Sequence, residues 1–275
     1  MAPKLTPSSE FTQIRYEVDL PIARIVLNRP KYKNAQSRVL REEMDVAFAL
    51  AETDDDVRVV ILSGEGDHFS SGHDLGTPEE AADLEERPYK DGLIGRFDKR
   101  WDLNVANTLR WRDFPKPTIA QVHGLCIYGG WTFAAGMDII IASEDAKFLP
   151  SLLQYFSVPW DVGVRRAKEI LFTGRFVTAA EALEFGFINQ VVPRDELEAA
   201  TTAMAKKIAE KDSFGLRMIK EAVNSAQDIM GFRAAIRVGM NYNMLRSEEE
   251  KARLGLPDFS ENRQLSRVSE SLRDL

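Results

Sequence analysis

The chain has 275 residues, 44% of them hydrophobic and 29% charged, and a formal net charge of −7. This balance suits one large soluble domain, or one domain with a smaller appendage, and the acidic excess argues against general nucleic-acid binding, which calls for a basic face. The single cysteine, Cys126, excludes an intrachain disulfide framework and fits a reducing compartment, with buried packing as its expected role.

The first ten residues, Met1 to Glu10, are polar and lack the apolar core of a secretory signal. The longest strongly apolar run, Met137 to Ala142, is broken by Asp138 and is too short to span a bilayer. A cytoplasmic protein without membrane contact is therefore expected. Phe11 to Leu27 reads as a hairpin turning at Asp19-Leu20-Pro21, followed by a polar loop from Asn28 to Ala35. A helix is predicted from Ser37 to about Glu52, with Leu40, Met44, Ala47, Phe48 and Ala51 at helical spacing, and then a buried strand from Val57 to Ser63. Thr77 to Gly95 is dense in charge and carries Pro78, Pro88, Gly92 and Gly95, so it reads as an exposed mobile segment over a site or as a plain surface insertion.

Helix followed by apolar strand then recurs: Trp101–Asp113 before Thr118–Val122, and Trp131–Met137 before Asp138–Ala142. A short strand at Phe148, a helix over Gly163–Thr173 and a strand over Ile188–Val192 complete the series. Such alternation predicts an α/β fold with parallel strands joined by helices. From Glu196 the pattern is wholly helical, over Leu197–Lys211, Phe214–Gln227 and Phe232–Ser247. The expected organisation is a core over residues 1–195 and a helical assembly region over 196–275, with a loosely held polar tail after Pro257.

Two glycine-bearing turns carry the chemistry. Phe69-Ser70-Ser71-Gly72-His73-Asp74-Leu75 follows the first buried strand. Val122-His123-Gly124-Leu125-Cys126-Ile127-Tyr128-Gly129-Gly130-Trp131-Thr132 follows the second and enters a helix. Glycines at a strand-to-helix junction leave backbone N–H groups unpaired and unobstructed. One donor from each turn, converging on one spot, would hold a developing thioester oxyanion.

With these turns in place the chain resembles the crotonase (enoyl-CoA hydratase/isomerase) superfamily from about Ile25 to Glu250. The matching pieces are Leu27-Asn28-Arg29-Pro30 with Asn34-Ala35, the Phe69–Leu75 turn, Lys116-Pro117-Thr118-Ile119-Ala120, Gly129-Gly130, Ala146-Lys147-Phe148, Leu171-Phe172-Thr173-Gly174-Arg175, Ala179 with Glu181-Ala182, Gly186-Phe187-Ile188-Asn189 and Val192-Pro193. The resemblance implies a spiral of ββα turns followed by a helical trimerisation region, an acyl-CoA substrate, and self-association as a homotrimer or dimer of trimers. It places the two oxyanion donors on His73 and Gly129 and lines the coenzyme A end with Lys31, Lys33 and Ala35. Asp74, Leu75 and Tyr128 flank the same turns, and Phe259 and Arg263 resemble C-terminal elements that reach a neighbouring subunit's coenzyme A. The resemblance implies no cofactor beyond the coenzyme A of the substrate, and the three histidines are not spaced as a metal site.

The chain departs from the hydratases of that superfamily at both catalytic glutamates. Those positions hold Thr132 and Leu152, neither of which transfers a proton near neutral pH, whereas hydration needs a base for water and an acid for the alkene carbon. Asp161, in Pro159-Trp160-Asp161-Val162-Gly163, is the leading replacement, with an N-cap for the following helix as its bland alternative. Tyr128, Trp131, Tyr155, Phe156 and Trp160 suggest an aromatic acyl pocket, or ordinary core. Tyr155 or Tyr128 could assist the proton transfer, and the imidazole of His73 could titrate near neutrality. These residues point to an isomerase or a C–C lyase or hydrolase rather than an ordinary hydratase. The rival reading is a non-catalytic acyl-CoA-binding protein on the same fold. A dinucleotide fold is disfavoured, since no Gly-x-Gly-x-x-Gly follows a strand.

Overall fold

The computed structural model describes residues 10–255. Residues 1–9, the tail after Pro257, and Phe259 and Arg263 with it lie outside the described residues. Nine strands run β1 (Ile14–Asp19), β2 (Ile22–Leu27), β3 (Val59–Gly64), β4 (Thr118–Val122), β5 (Leu125–Tyr128), β6 (Ile139–Ser143), β7 (Lys147–Pro150), β8 (Val177–Thr178) and β9 (Gln190–Val192). Six form one sheet in the order β1-β2-β3-β4-β6-β9, and β5, β7 and β8 form a second. The expected hairpin is present, with Ile14 paired to Leu27, and every later pairing in the large sheet is parallel.

The apolar run Val59-Val60-Ile61-Leu62 has no alternation because both faces of its strand are buried. Val60 and Leu62 face the main core with Leu40, Met44 and Phe48 of α1 (Arg38–Thr53), while Val59 and Ile61 face the opposite side. Ser37 starts α1 as expected, accepting the Leu40 N–H on its side chain.

Two stretches fold differently from the sequence reading. Thr77–Gly95 is largely helical: α2 (Pro78–Glu86) is capped by the Thr77 side chain, with Pro78 at its start and Glu79 and Glu80 in its first turn. The charge density there belongs to a helix N-terminus. It is followed by α3 (Gly92–Trp101), a wide π-helical turn over Asp102–Ala106, and α4 (Asn107–Arg112). The second glycine turn also contains a strand, β5, between Gly124 and α5 (Gly129–Ala135).

After β7 come α6 (Val158–Asp161), α7 (Val164–Thr173) and α8 (Ala179–Phe185). The C-terminal part is helical, as α9 (Leu197–Ala209), α10 (Ser213–Ile229) and α11 (Phe232–Leu254). Of these, α9 is part of the core: Leu197, Ala205 and Ala209 cover Val59, Ile61, Ile119 and Ile141 on the second face of the large sheet. By contrast α10 buries no residue and leaves Phe214, Met218, Ile219 and Val223 exposed.

A buried ion pair ties the loop before α1 to the turn after β3. Arg29 Nη1 donates to Asp74 Oδ2 at 2.7 Å and to the Ala35 carbonyl at 2.6 Å, and Nη2 donates to Thr77 Oγ1 at 2.8 Å. The side chains of Arg29 and Asp74 are 5% and 0% exposed. Burial works against the charge on Asp74, but the Thr77 hydroxyl, the N–H groups of Thr77 and Gly76, and Arg29 together hold its pKa below the usual carboxylate range. A depressed carboxylate pKa supplies stability that is present above the unfolded value, about 3.9, and lost as pH falls through the folded one. Asp74→Asn should lower unfolding stability by about 3–5 kcal/mol, because the buried guanidinium loses its close carboxylate and keeps only the more distant, half-exposed Glu79 at 3.9 Å. Urea denaturation measured from pH 7 down to pH 3 should also show a flatter acid dependence in this variant than in wild type.

Candidate active site

The segment Phe69–His73 runs between the polar loop before α1 and strand β5. On one side the Phe69 N–H donates to the His123 carbonyl at 2.8 Å and the Ser70 N–H to the Leu125 carbonyl at 2.9 Å. On the other, the Gln36 N–H donates to the Gly72 carbonyl at 2.8 Å and the Asp74 N–H to the Gln36 carbonyl at 3.1 Å. This is a parallel bridge between Gln36 and His73, so the N–H of His73 itself points away from Gln36, toward β5. Its peptide carbonyl, that of Gly72, accepts a hydrogen bond, which strengthens the N–H as a donor.

The second donor is the N–H of Gly129, the first residue of α5 and one of the orphan groups of a helix start. Tyr128 before it has φ 50° and ψ −109°, a conformation that L side chains rarely adopt and that costs about 1–3 kcal/mol. The Tyr128 carbonyl, in the same peptide unit, accepts a bond from Thr132 Oγ1 at 3.4 Å. The two turns meet so closely that glycine is required. A Cβ on Gly72, whose φ is +90°, would lie 3.0 Å from the Gly129 nitrogen, and one on Gly129 would collide with Gln36 Oε1 and come within 2.8 Å of His73 Nδ1. No side chain stands between the Gly72 backbone and the Gly129 nitrogen.

Asp161 closes α6, and Gly163, not Asp161, precedes α7. Its carboxylate caps no helix there. Oδ2 instead accepts the Trp131 indole N–H at 2.8 Å and the Ser157 hydroxyl at 2.6 Å, and Oδ1 has no hydrogen-bond partner among the described residues. Burial raises this carboxyl to about 6, against the opposing pull of the Ser157 and Trp131 bonds. Trp131 is itself buried, stacked on Phe187 at 3.8 Å and meeting Phe148 at a near-perpendicular angle.

The remaining sequence candidates fall into distinct places. Thr132 is buried and Leu152 is exposed. The expected aromatic pocket is not one cluster: Trp131 lies in the main core, while Tyr155 packs with Phe232 and Ile236 of α11 and Trp160 meets Phe232 edge-on at 5.4 Å. The Tyr155 hydroxyl is buried without a partner, and burial pushes it well up, making it a poor acid. Tyr128 lies over Leu125, Ile127 and Leu149. Lys31 is exposed with its ammonium 5.0 Å from the Tyr32 ring centre, Lys33 is exposed at φ 51°, and Ala35 is buried beside them. Leu75 is half-buried, and Asp74 is taken up by the Arg29 pair. The imidazole of His73 does not titrate near neutrality: burial, then the charge of Arg41, lowers it to about 3, so it is neutral at pH 7.

Sequence reading overlooked Ser157 and the hydrogen-bonding role of Trp131. For Ser157 the signal available was its spacing, four residues before Asp161 and just ahead of the short helix that Asp161 closes.

Two glycine turns of a spiral of ββα units meet with their backbones in near contact. The chain belongs to the enoyl-CoA hydratase/isomerase family, whose family model matches residues 17–267. It is 41% identical over 248 residues to the Mycobacterium tuberculosis protein named "Putative enoyl-CoA hydratase EchA13", covering 82% of this chain and 78% of that one. Among solved structures it is similar to a probable enoyl-CoA hydratase from Mycobacterium smegmatis, at 41% identity and a TM-score of 0.81 over 90% of this chain and 99% of that one. An enoyl-CoA hydratase/isomerase from Xanthobacter autotrophicus Py2 is 34% identical, with a TM-score of 0.76 over 86% and 87% of the two chains. The α/β spiral and the helical C-terminal region expected from the sequence are those of this family.

The raised pKa of Asp161 couples stability to pH. A carboxyl protonated more readily in the folded state supplies stability fully present below its unfolded value and lost as pH rises toward 6. A ¹³C NMR titration of the Asp161 carboxyl should give a midpoint near 6, and Trp131→Phe, which removes one donor to the charged form, should move it higher.

Proposed function

We propose that the chain is an acyl-CoA enzyme that binds the thioester carbonyl between the N–H groups of His73 and Gly129 and moves a proton with Asp161. The observation that carries this reading is the carboxyl of Asp161, raised to about 6 with Oδ2 anchored by Trp131 and Ser157 and Oδ1 unbonded. An acid or base tuned near the working pH, with one oxygen held and the other available, suits general acid–base catalysis. Negative charge developing on the thioester oxygen falls on the two backbone donors, which stabilises an enolate at the α-carbon.

With Thr132 and Leu152 in place of two acids, the reading favours double-bond isomerisation or enolate-based C–C cleavage or hydrolysis over ordinary hydration. Lys31, Lys33 and Ala35 would meet the coenzyme A end, and Leu75, Tyr128, Thr132, Leu152, Tyr155 and Trp160 would border the acyl group. Tyr155 is the weakest of these assignments, since its hydroxyl is closed off in the α11 cluster. No cofactor beyond the substrate's own coenzyme A is required. The exposed apolar residues of α10 support self-association as a homotrimer or a dimer of trimers, in a cytoplasmic setting.

Assay of wild type across a panel of enoyl-, dienoyl- and β-ketoacyl-CoA thioesters tests the reading. Turnover of at least one is expected, and Asp161→Asn should lower kcat about 10²–10⁴-fold on it with little change in acyl-CoA binding. Binding across the panel with no turnover would favour a non-catalytic acyl-CoA-binding protein. Full activity in Asp161→Asn would remove that residue from the chemistry.

A further inference from the structure

Behind the two N–H donors lies a buried cation with no carboxylate partner. Arg41, on α1, is 2% exposed. Among the described residues no carboxylate oxygen approaches its guanidinium within 4 Å, and it belongs to no ion pair. Asp45, one turn further along α1, pairs instead with Arg110 at 2.5 Å and with the Trp111 indole at 2.8 Å. Arg41 is held on neutral groups. Nη2 donates to Gln36 Oε1 at 2.5 Å, Nη1 donates to the Leu103 carbonyl in the wide turn before α4, and the guanidinium carbon stands 4.9 Å from the centre of the Phe133 ring on α5.

Each of these contacts leads to one of the donors. Gln36 forms the bridge with His73 through its backbone, and its Oε1 packs against the Cα of Gly129. Its Nε2 donates to Ser70 Oγ at 3.1 Å, the hydroxyl that also accepts the Gly72 N–H at 3.1 Å and donates to the Asn34 carbonyl at 2.8 Å. Asn104, next to Leu103, faces the His73 imidazole, whose Nε2 is buried without a hydrogen-bond partner among the described residues. Phe133 lies one turn along the helix that Gly129 begins.

We propose that Arg41, acting through Gln36, is a positioning residue of the anion hole: a permanent positive charge behind the two donors that fixes their spacing and adds its field to theirs. An unpaired buried guanidinium is costly to fold. Asp45 and Glu80 act on it from beyond pairing distance, and in such buried surroundings its field still favours negative charge on a nearby oxygen. Burial lowers the guanidinium to about 9, which leaves it charged at neutral pH.

This inference rests on the proposed binding of a thioester carbonyl in the hole, and the experiment separates the two. The probe is cinnamoyl-CoA, a conjugated thioester whose absorption band moves to longer wavelength as its carbonyl is polarised. Wild type should bind it with a red shift. Arg41→Met should keep the dissociation constant within about twofold but lose at least about half of that shift, and Arg41→Lys, which restores the charge, should recover most of it. Gln36→Leu, which keeps the guanidinium and cuts its link to the turns, should lose the shift as Arg41→Met does, and it carries the test should Arg41→Met not fold. Red shifts equal to wild type in the folded variants overturn the inference and leave the hole standing. An absent shift in wild type overturns the hole, and the inference with it.

Discussion

The site depends on two turns of backbone packed closer than any side chain permits. Gly72 and Gly129 approach until a Cβ on either would strike the other turn or the groups beside it. The large sheet makes this approach possible. The first turn leaves β3 and the second leaves β4, and these strands are parallel neighbours with Val60 opposite Thr118. Both chains therefore emerge at the same edge and must descend side by side, with Ser70 bridging Cys126 as they do so. Side chains are excluded from the junction, so the functional groups that remain there are peptide N–H donors.

A junction built from backbone is rigid only if something grips it from outside, and here polar groups do so. The Arg29–Asp74 pair fixes the far end of the first turn. The Gln36 bridge fixes its middle, and the strained Tyr128 peptide fixes the entrance to α5. The strain at Tyr128 is offset by the pairing of β5 with β7 on one side and by the burial of Gly129 to Ala134 on the other. Preorganisation of this kind means that the donors need no rearrangement when charge develops on a bound oxygen.

Much of this was legible in the sequence because it is written in residue types with few physical substitutes. Gly72 and Gly129-Gly130 marked close backbone approach, the hydrophobic periodicity of α1 gave a helix within a residue of its observed limits, and unbroken apolar runs gave the doubly buried strands. What escaped was non-local or masked by composition. Helix α2 hid in a charged segment, although Thr77-Pro78-Glu79-Glu80 carries the start signals of a helix. Strand β5 is four residues long and is defined by its parallel pairing with β7, twenty-two positions further on. The neutral state of the His73 imidazole and the raised pKa of Asp161 both come from burial, which spacing along the chain does not encode. Leu197, Ala205 and Ala209 gave a helical stripe but no sign that it covers the main sheet, so α9 read as part of an appendage.

If Thr132 and Leu152 stand where hydratases carry their two acids, as the sequence reading has it, the remaining carboxyl is suited to a narrower task. At one position Thr132 Oγ1 reaches the Tyr128 carbonyl, so this side chain reinforces the peptide that presents the Gly129 N–H. At the other, Leu152 offers exposed apolar surface. Adding water across a double bond requires one group to take a proton from water and another to deliver one to carbon, and the two must hold opposite protonation states together. A single carboxyl near pH 6 changes state readily but is in only one state at a time. On the proposed reading, that suits reactions in which one group removes a proton from a polarised thioester and returns it to another carbon of the same conjugated system. On that proposal the enolate between the two steps would be held by backbone donors, so the hole would carry the charge while Asp161 carried the proton.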